Sequence, residues 1–178
     1  MTAPKINVPA VAPGQDAALY INSLTDPTLF GAYMQFYVAA KDLPPRDPEL
    51  VELIRIRNGV AQSCKYCLSV RMEGGYDLGK DMEHTVTHFE TSDLSGRQKA
   101  ALRLAAAFLE MPSGLTQEAR DEAEKYFTPD EIVGLLFKLT SFLINKSRAA
   151  LGIDGALDPE GLTRVVSGAS LKKHLSES

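Results

Sequence analysis

The sequence predicts an all-α protein with one helical domain. Three observations carry this reading. Apolar residues recur at helical spacing in one segment after another, Asp-Pro pairs and Ser or Thr caps punctuate those segments, and no run alternates apolar with polar residues as a half-buried strand would. The 178 residues are 44% hydrophobic and 24% charged, with no Trp and 7% aromatics. That is an ordinary globular balance, in a chain long enough to bury a sizeable core. It excludes wholesale disorder and a fibrous repeat.

The elements follow in order. Pro4, Pro9, Pro13 and Gly14 make residues 1–15 an extended arm, because Pro fixes φ and has no amide donor. Its Ile6, Val8 and Val11 can lie on the body or on a neighbouring subunit. A short helix is expected over 16–24. Asp26-Pro27 is an N-cap followed by Pro at the first helical position, and it opens a helix to about Lys41. Pro44-Pro45 forces a break. Asp47-Pro48 repeats the capping device, and Leu50, Leu53, Ile54 and Arg57 carry a helix to about Gln62. Ser63 is expected to cap a helix over 64–74 that ends at Gly74-Gly75. Another short helix is expected over 80–89.

Ser95 caps the run from Gln98 to Met111, which Pro112 and Gly114 stop. Thr116 opens the charged helix 117–127. Thr128-Pro129-Asp130-Glu131 reads as a capping box with Pro inside it. The helix behind it runs to about Leu151, with Gly152 as its C-terminal stop. Its Ile132, Leu135, Leu136, Leu139, Phe142 and Leu143 are too many for one face, which predicts burial in a core or between subunits. A last short helix is expected after Asp158-Pro159. The division is therefore an arm over 1–15, a single helical domain over 16–169 and a polar tail over 170–178.

The net charge is 19 − 23 = −4. No net basic field gathers phosphates, so no nucleic-acid partner is expected. Residues 1–5 lead into no long apolar run, and no stretch approaches the ~20 apolar residues of a membrane span. The expectation is a cytoplasmic chain with no membrane partner. Two cysteines do not make a disulfide scaffold for a chain of this size. Both fall in Cys64-Lys65-Tyr66-Cys67, which in a reducing compartment points to redox chemistry or metal binding.

On a helix, Cys64 and Cys67 share one face and come close enough for a disulfide after modest adjustment. Both fall in the first turn, where unpaired amides and the helix dipole favour a thiolate. Arg71 lies four residues after Cys67, one turn along the same face, and its charge would favour that thiolate further; Lys65 adds a smaller effect. The plain structural alternative is a pair of small buried apolar residues at a helix junction. Glu52, twelve residues before Cys64, reaches the pair only if the two helices fold back as a hairpin. Otherwise it is a solvated helix residue, or a partner for Arg55 or Arg57.

The run Glu52-Leu53-Ile54-Arg55, Asn58, Cys64-Lys65-Tyr66-Cys67-Leu68-Ser69-Val70-Arg71 and Gly74 resembles the core of the carboxymuconolactone decarboxylase and alkylhydroperoxidase D-like superfamily. So do Ser95 with Gln98-Lys99-Ala100-Ala101-Leu102, Phe127-Thr128-Pro129-Asp130-Glu131-Ile132-Val133, and Asn145-Lys146-Ser147-Arg148 before Leu151-Gly152. The resemblance covers about residues 28–153. It implies an alkylhydroperoxidase D-like helical domain that assembles as a homo-oligomer, a trimer or a hexamer, and that works without a cofactor or a metal. The cysteine pair places the chain beside the redox branch. That branch implies a thiol peroxidase: Cys67 attacks a peroxide, Cys64 resolves, Glu52 relays protons, and an unidentified thiol reductant closes the cycle. Where that branch carries histidines, this chain has Tyr66 before the second cysteine and Arg71 four residues after it. Arg cannot act as a general base. Either its charge replaces activation by a base, or peroxidase activity is weak or lost.

Other readings stand beside this one. His84 and His88 follow Cys64 and Cys67 after a sixteen-residue gap, like a zinc-finger string with a slightly long gap and no strand pair. Either histidine can instead serve as a replacement base for Cys67, and with Tyr66 they are the secondary site residues. Cofactor-free decarboxylase or lactone chemistry, as in the other branch, would use Arg55, Arg57, Arg71 or Arg148 to hold a carboxylate. A non-catalytic oligomeric thiol sensor is the reading outside enzymology.

Overall fold

The computed structural model describes Lys5 and residues 27–73, 75, 76, 78, 81–156 and 161–165. Its helices in chain order are α1 (Pro27–Asp42), α2 (Pro48–Ala61), α3 (Lys65–Ser69), α4 (Met82–Thr87), α5 (Gly96–Glu110), α6 (Gln117–Glu124), α7 (Pro129–Phe142) and α8 (Asn145–Leu151). Strand β1 (Val70–Met72) follows α3, and β2 (Thr163–Val165) follows α8. Four of the expected caps act where the sequence places them. Asp47 accepts the Leu50 amide at 3.1 Å, Thr116 accepts that of Ala119, and both Ser95/Gln98 and Thr128/Glu131 close reciprocal capping boxes.

Helix α2 is the centre of the fold. Leu50, Leu53, Ile54 and Ile56 are fully buried on it, and it packs against α3, α4, α5 and α7. Leu102 and Leu104 of α5, Val86 of α4, and Leu135 and Leu139 of α7 complete the same apolar cluster. Helix α1 lies along α7, where the Tyr33 hydroxyl donates to the Ser141 carbonyl at 2.7 Å and the Tyr37 and Phe142 rings meet edge-on at 6.2 Å. The turn after α1 presses on α7 at Gly134, where an added Cβ would sit 1.7 Å from the Pro44 carbonyl oxygen. One turn further on, Lys138 is fully buried and donates to the Leu43 carbonyl.

Several expectations are corrected. The helix expected over 64–74 ends at Ser69, and the chain continues as β1. Ser63 does not cap it. Ser63 stands in the left-handed region at φ 51°, and Cys64 takes the cap position. Segment 163–165, where the last short helix is expected after Asp158-Pro159, is instead β2, which pairs with β1 in parallel as Val70↔Thr163, Arg71↔Arg164 and Met72↔Val165. Three residues are too few to display a period of two, and the partner lies at the far end of the chain. The helix expected from 129 to 151 is broken at Leu143 and Ile144. There the amides of Leu143 and Lys146 reach back three residues instead of four, to Thr140 and Leu143. Gly152, at φ 67°, stops α8 as expected.

The helix expected over 16–24, the expected cap Asp26, Asp158-Pro159, the tail and all of the arm but Lys5 lie outside the described residues. The Lys5 amide donates to the Leu151 carbonyl at 2.8 Å. Among the described residues no helix is long and apolar enough to cross a membrane.

Lys138 makes folding sensitive to alkaline pH. Burial lowers its pKa from 10.5 to about 8, helped by Arg46 and opposed by Asp42. Between these values the unfolded chain binds the proton and the folded one releases it, so stability rises with pH through that window. Below pH 8 both states are protonated and the full desolvation penalty is present. Urea unfolding of wild type and Lys138→Met across this range should show the wild type gaining about 2–3 kcal/mol relative to the variant between pH 8 and 10.5. Parallel curves would remove the titration from the account.

Candidate redox site

Helices α2 and α3 form the hairpin that the site needs. The Cys64 amide donates to the Gly59 carbonyl at 3.0 Å. At Gly59 the helices touch, because an added Cβ would lie 3.0 Å from Leu68 Cδ2 and 3.2 Å from Cys67 Cβ. Cys64 and Cys67 are joined by a disulfide, with Cα atoms 5.3 Å apart. Both are buried, Cys64 at 1% exposure and Cys67 at 5%. Cys64 is the N-cap of α3, and its sulfur accepts the Cys67 amide at 3.2 Å. Asp154, from the segment after α8, accepts the Lys65 amide at 2.7 Å.

Glu52 is neither solvated nor remote. It is 1% exposed and paired with Arg55, whose Nε and Nη2 donate to Oε2 and Oε1 at 2.6 and 2.7 Å. The Met72 amide donates to Oε1 at 3.0 Å. Among the described residues these three donors take three of the carboxylate's four lone-pair positions and leave one, at Oε2. Gly75 closes over the carboxylate, since a Cβ there would sit 2.1 Å from Glu52 Cγ. Arg55 continues to the cysteine hairpin, donating from Nη1 to the Cys67 carbonyl at 2.6 Å and from Nη2 to the Val70 carbonyl at 2.8 Å. Glu52 and Cys67 are thus connected through Arg55.

Arg71 is on β1, so the shared helix face with Cys67 does not form. Its guanidinium is 1% exposed, and Nη1 donates to the carbonyls of Leu68 and Val70, both at 3.0 Å. Burial, and then the neighbouring Arg55, push Arg71 below the usual guanidinium range. Arg57 is half-buried, and the side chain of Arg148 lies outside the described ones.

Tyr66 is half-buried on α3 between the cysteines. His84 and His88 stand exposed at α4 and its C-terminal cap, with ring centroids 4.5 Å apart. They share with Val60, Lys65, Leu68 and Glu83 an open groove of about 520 Å³ alongside the cysteine helix. The zinc-finger string does not form: the cysteines are bonded to each other, and among the described residues no three His, Cys, Asp or Glu side chains converge on a metal-sized site.

Sequence reasoning missed what α1 contributes. Burial pushes the Tyr37 hydroxyl up to about 12; Arg55 opposes the rise, and Glu52 and Tyr66 add to it. The Lys41 ammonium lies 5.7 Å from the centroid of the Tyr37 ring, with its pKa lowered by burial against the pull of Glu52 and Glu73. The charges of Glu52 and Arg55 thus bear on both a phenol that keeps its proton and a half-buried ammonium. No sequence spacing signals this, because Tyr37 and Lys41 stand on a different helix from Glu52 and Arg55.

No family model matches the chain. Two uncharacterized proteins of Mycobacterium tuberculosis, MT2376 and Rv2313c, are each 32% identical to it over 132 residues. The match covers 72% of this chain and 46% of each relative, so the chain spans about half the length of the curated relatives it matches. Among solved structures, the crystal structure of ATU0492 from Agrobacterium tumefaciens, a protein of unknown function and a candidate antioxidant defence protein AhpD, is similar with a TM-score of 0.63. That pair is 16% identical, and the similarity covers 78% of this chain and 97% of the other. The chain therefore has the AhpD-like helical fold that the motif resemblance implies.

Removing one partner of the buried pair strands the other. Arg55→Met or Glu52→Leu should each cost about 3–5 kcal/mol in urea unfolding of the oxidised protein, and the Glu52→Leu/Arg55→Met double variant should lose less than either. Single variants within about 1 kcal/mol of wild type would show that the pair does not hold the hairpin.

Proposed function

We propose that this chain is a thiol peroxidase of the AhpD-like kind, reducing hydroperoxides through a dithiol–disulfide cycle at Cys64 and Cys67. The observation that carries the reading is the buried Cys64–Cys67 disulfide at the start of α3, held against the Glu52–Arg55 pair. The antioxidant role suggested for ATU0492 is consistent with it.

In the reduced protein the Cys67 thiolate attacks the terminal oxygen of ROOH. The O–O bond breaks, Cys67 becomes a sulfenic acid, and the leaving alkoxide takes a proton to give ROH. The Cys64 thiol then displaces hydroxide from the sulfenic sulfur, forming the disulfide and releasing water. Cys67 is the more exposed of the two sulfurs' residues, in keeping with the attacking role. Glu52 relays the protons through its remaining acceptor position, and Arg71 supplies positive charge behind Cys67 in place of a base. Tyr66, His84 and His88 line the approach. A separate dithiol donates two electrons to reopen the disulfide, and the cytoplasm is the compartment where such a donor is kept reduced.

We also propose that the chain works as a homo-oligomer. Leu29 and Phe36 on α1, Val133 and Phe137 on α7, and Ile144 just beyond it remain exposed, with the Phe36 and Phe137 rings edge-on at 6.3 Å. A second copy would cover this face. Light scattering should find Phe137→Glu in a smaller assembly than wild type; an unchanged mass would move the interface elsewhere.

The cycle is tested by following thiol loss in the reduced protein after adding peroxide, with wild type beside Cys64→Ser and Cys67→Ser. Wild type should consume both thiols much faster than free cysteine does. Cys64→Ser should accumulate a trappable sulfenic acid at Cys67, and Cys67→Ser should not. Consumption at the rate of free cysteine would rule out a tuned peroxidase centre.

A further inference from the structure

The two sulfurs of the Cys64–Cys67 pair have opposite electrostatic neighbours. On the Cys64 side stands Asp154. Gly152, at φ 67°, turns the chain out of α8, and Ile153 is buried. Asp154 then rests with Oδ2 2.7 Å from the Lys65 amide nitrogen. That amide belongs to the peptide unit leaving Cys64, so bond lengths alone place the carboxylate within about 8 Å of the Cys64 sulfur. On the Cys67 side stand two cations. Arg55 Nη1 donates to the Cys67 carbonyl at 2.6 Å. By the same reckoning this guanidinium lies within about 8 Å of the Cys67 sulfur. Arg71 Nη1 donates to the next carbonyl, that of Leu68, at 3.0 Å. Among the described residues these two buried guanidinium groups face one buried carboxylate, Glu52, so the Cys67 side carries surplus positive charge.

One contact runs the other way. The Cys67 amide donates to the Cys64 sulfur at 3.2 Å, and a hydrogen bond to a sulfur favours its charged form. In the reduced protein that bond would draw the thiolate to Cys64. A fixed carboxylate near the same sulfur does the reverse, because like charge disfavours the charged form. The Lys65 ammonium does not cancel it. Lys65 is exposed at the groove, where water and salt screen its charge, whereas Asp154 is half-buried and held by a hydrogen bond.

We infer that Asp154 is a positioning residue for the thiol pair: its carboxylate keeps negative charge off Cys64, so that in the reduced protein Cys64 holds its proton and Cys67 is the thiolate. The inference rests on the dithiol cycle proposed above and gives its division of labour a physical cause. Cys64 stays a thiol until Cys67 has become a sulfenic acid, and its proton then leaves with the displaced hydroxide as water.

The test is alkylation of the reduced full chain by iodoacetamide, with no peroxide present. Cys67→Ser reports on Cys64 alone and Cys64→Ser on Cys67 alone, each with Asp154 intact and with Asp154→Asn. Asn keeps an oxygen for the Lys65 amide and drops the charge. At pH 7, Asp154→Asn should speed alkylation of Cys64 about three- to ten-fold and change that of Cys67 less than about two-fold. The gain at Cys64 should vanish once the pH is high enough to ionise that thiol fully, because the carboxylate acts on where the proton sits. The other charged groups around the pair are the same in every variant: Glu52 and Arg55 on α2, Lys65 on α3, Arg71 on β1, and Glu83, His84 and His88 on α4. Should the Asp154→Asn proteins not fold, the single-cysteine variants with Asp154 intact carry the test, and Cys67 should alkylate faster than Cys64 at pH 7. Equal gains at both thiols, a gain that persists at high pH, no gain at Cys64, or Cys64 as the faster thiol beside an intact Asp154 would each overturn the inference. Slow consumption of peroxide would instead count against the cycle and leave this order of the two thiols standing.

Discussion

The bidentate pair between Glu52 and Arg55 is the contact on which the site depends. Helix α3 has five residues, too few to be stable alone, and its last carbonyls have no partner within the helix. Arg55 supplies two of the missing donors, to the carbonyls of Cys67 and Val70. Glu52 holds Arg55 in place and also takes the Met72 amide, so one ion pair on α2 secures both the end of the cysteine helix and the strand that follows. At the other end of α3, Asp154 takes the Lys65 amide. A short helix carrying the disulfide is thus clamped at both ends by charged side chains from elsewhere in the fold.

Arg71 belongs to the same arrangement. It donates to the carbonyl of Leu68 and shares that of Val70 with Arg55. A residue whose charge alone suggests a catalytic role thus also finishes a helix. Placing two cations at this C-terminal end agrees with the helix dipole, which is negative there. Tyr37 and Lys41 of α1 are half-buried, with the Lys41 ammonium over the Tyr37 ring. Glu52, Arg55 and Arg71 are themselves buried, where hydrogen bonds and charges act more strongly than they would in water.

Much of the helical framework was legible in the sequence. Asp47, Ser95, Thr116 and Thr128 each cap where their spacing predicts, since a cap depends on a side chain and an amide three residues away. Leu50, Leu53 and Ile54 are core, as their period requires. Gly152 stops its helix because a left-handed residue is needed there. The segment after Cys67 was misread. Leu68 to Met72 fits a helix locally, yet Val70 to Met72 pairs with Thr163 to Val165, and a partner so distant leaves no local mark. The break at Leu143 and Ile144 was missed for a related reason, because apolar residues continue the helical period straight through it.

The sequence by itself determined the helical class, the caps, the central apolar helix and the proximity of Cys64 to Cys67, because each depends on residues within about a turn of one another. Only the tertiary structure decided that Glu52 is buried and paired, that Gly75 closes over it, and that Arg71 leaves the cysteine helix for a strand. It also decided that Tyr37 and Lys41 feel the charges of the pair and that His84 and His88 line the groove alongside the cysteine helix. The physical reason is the same in each case. A buried charge is placed by which helices meet around it and which carbonyls they leave unpaired, and neither is set by the spacing of residues along the chain.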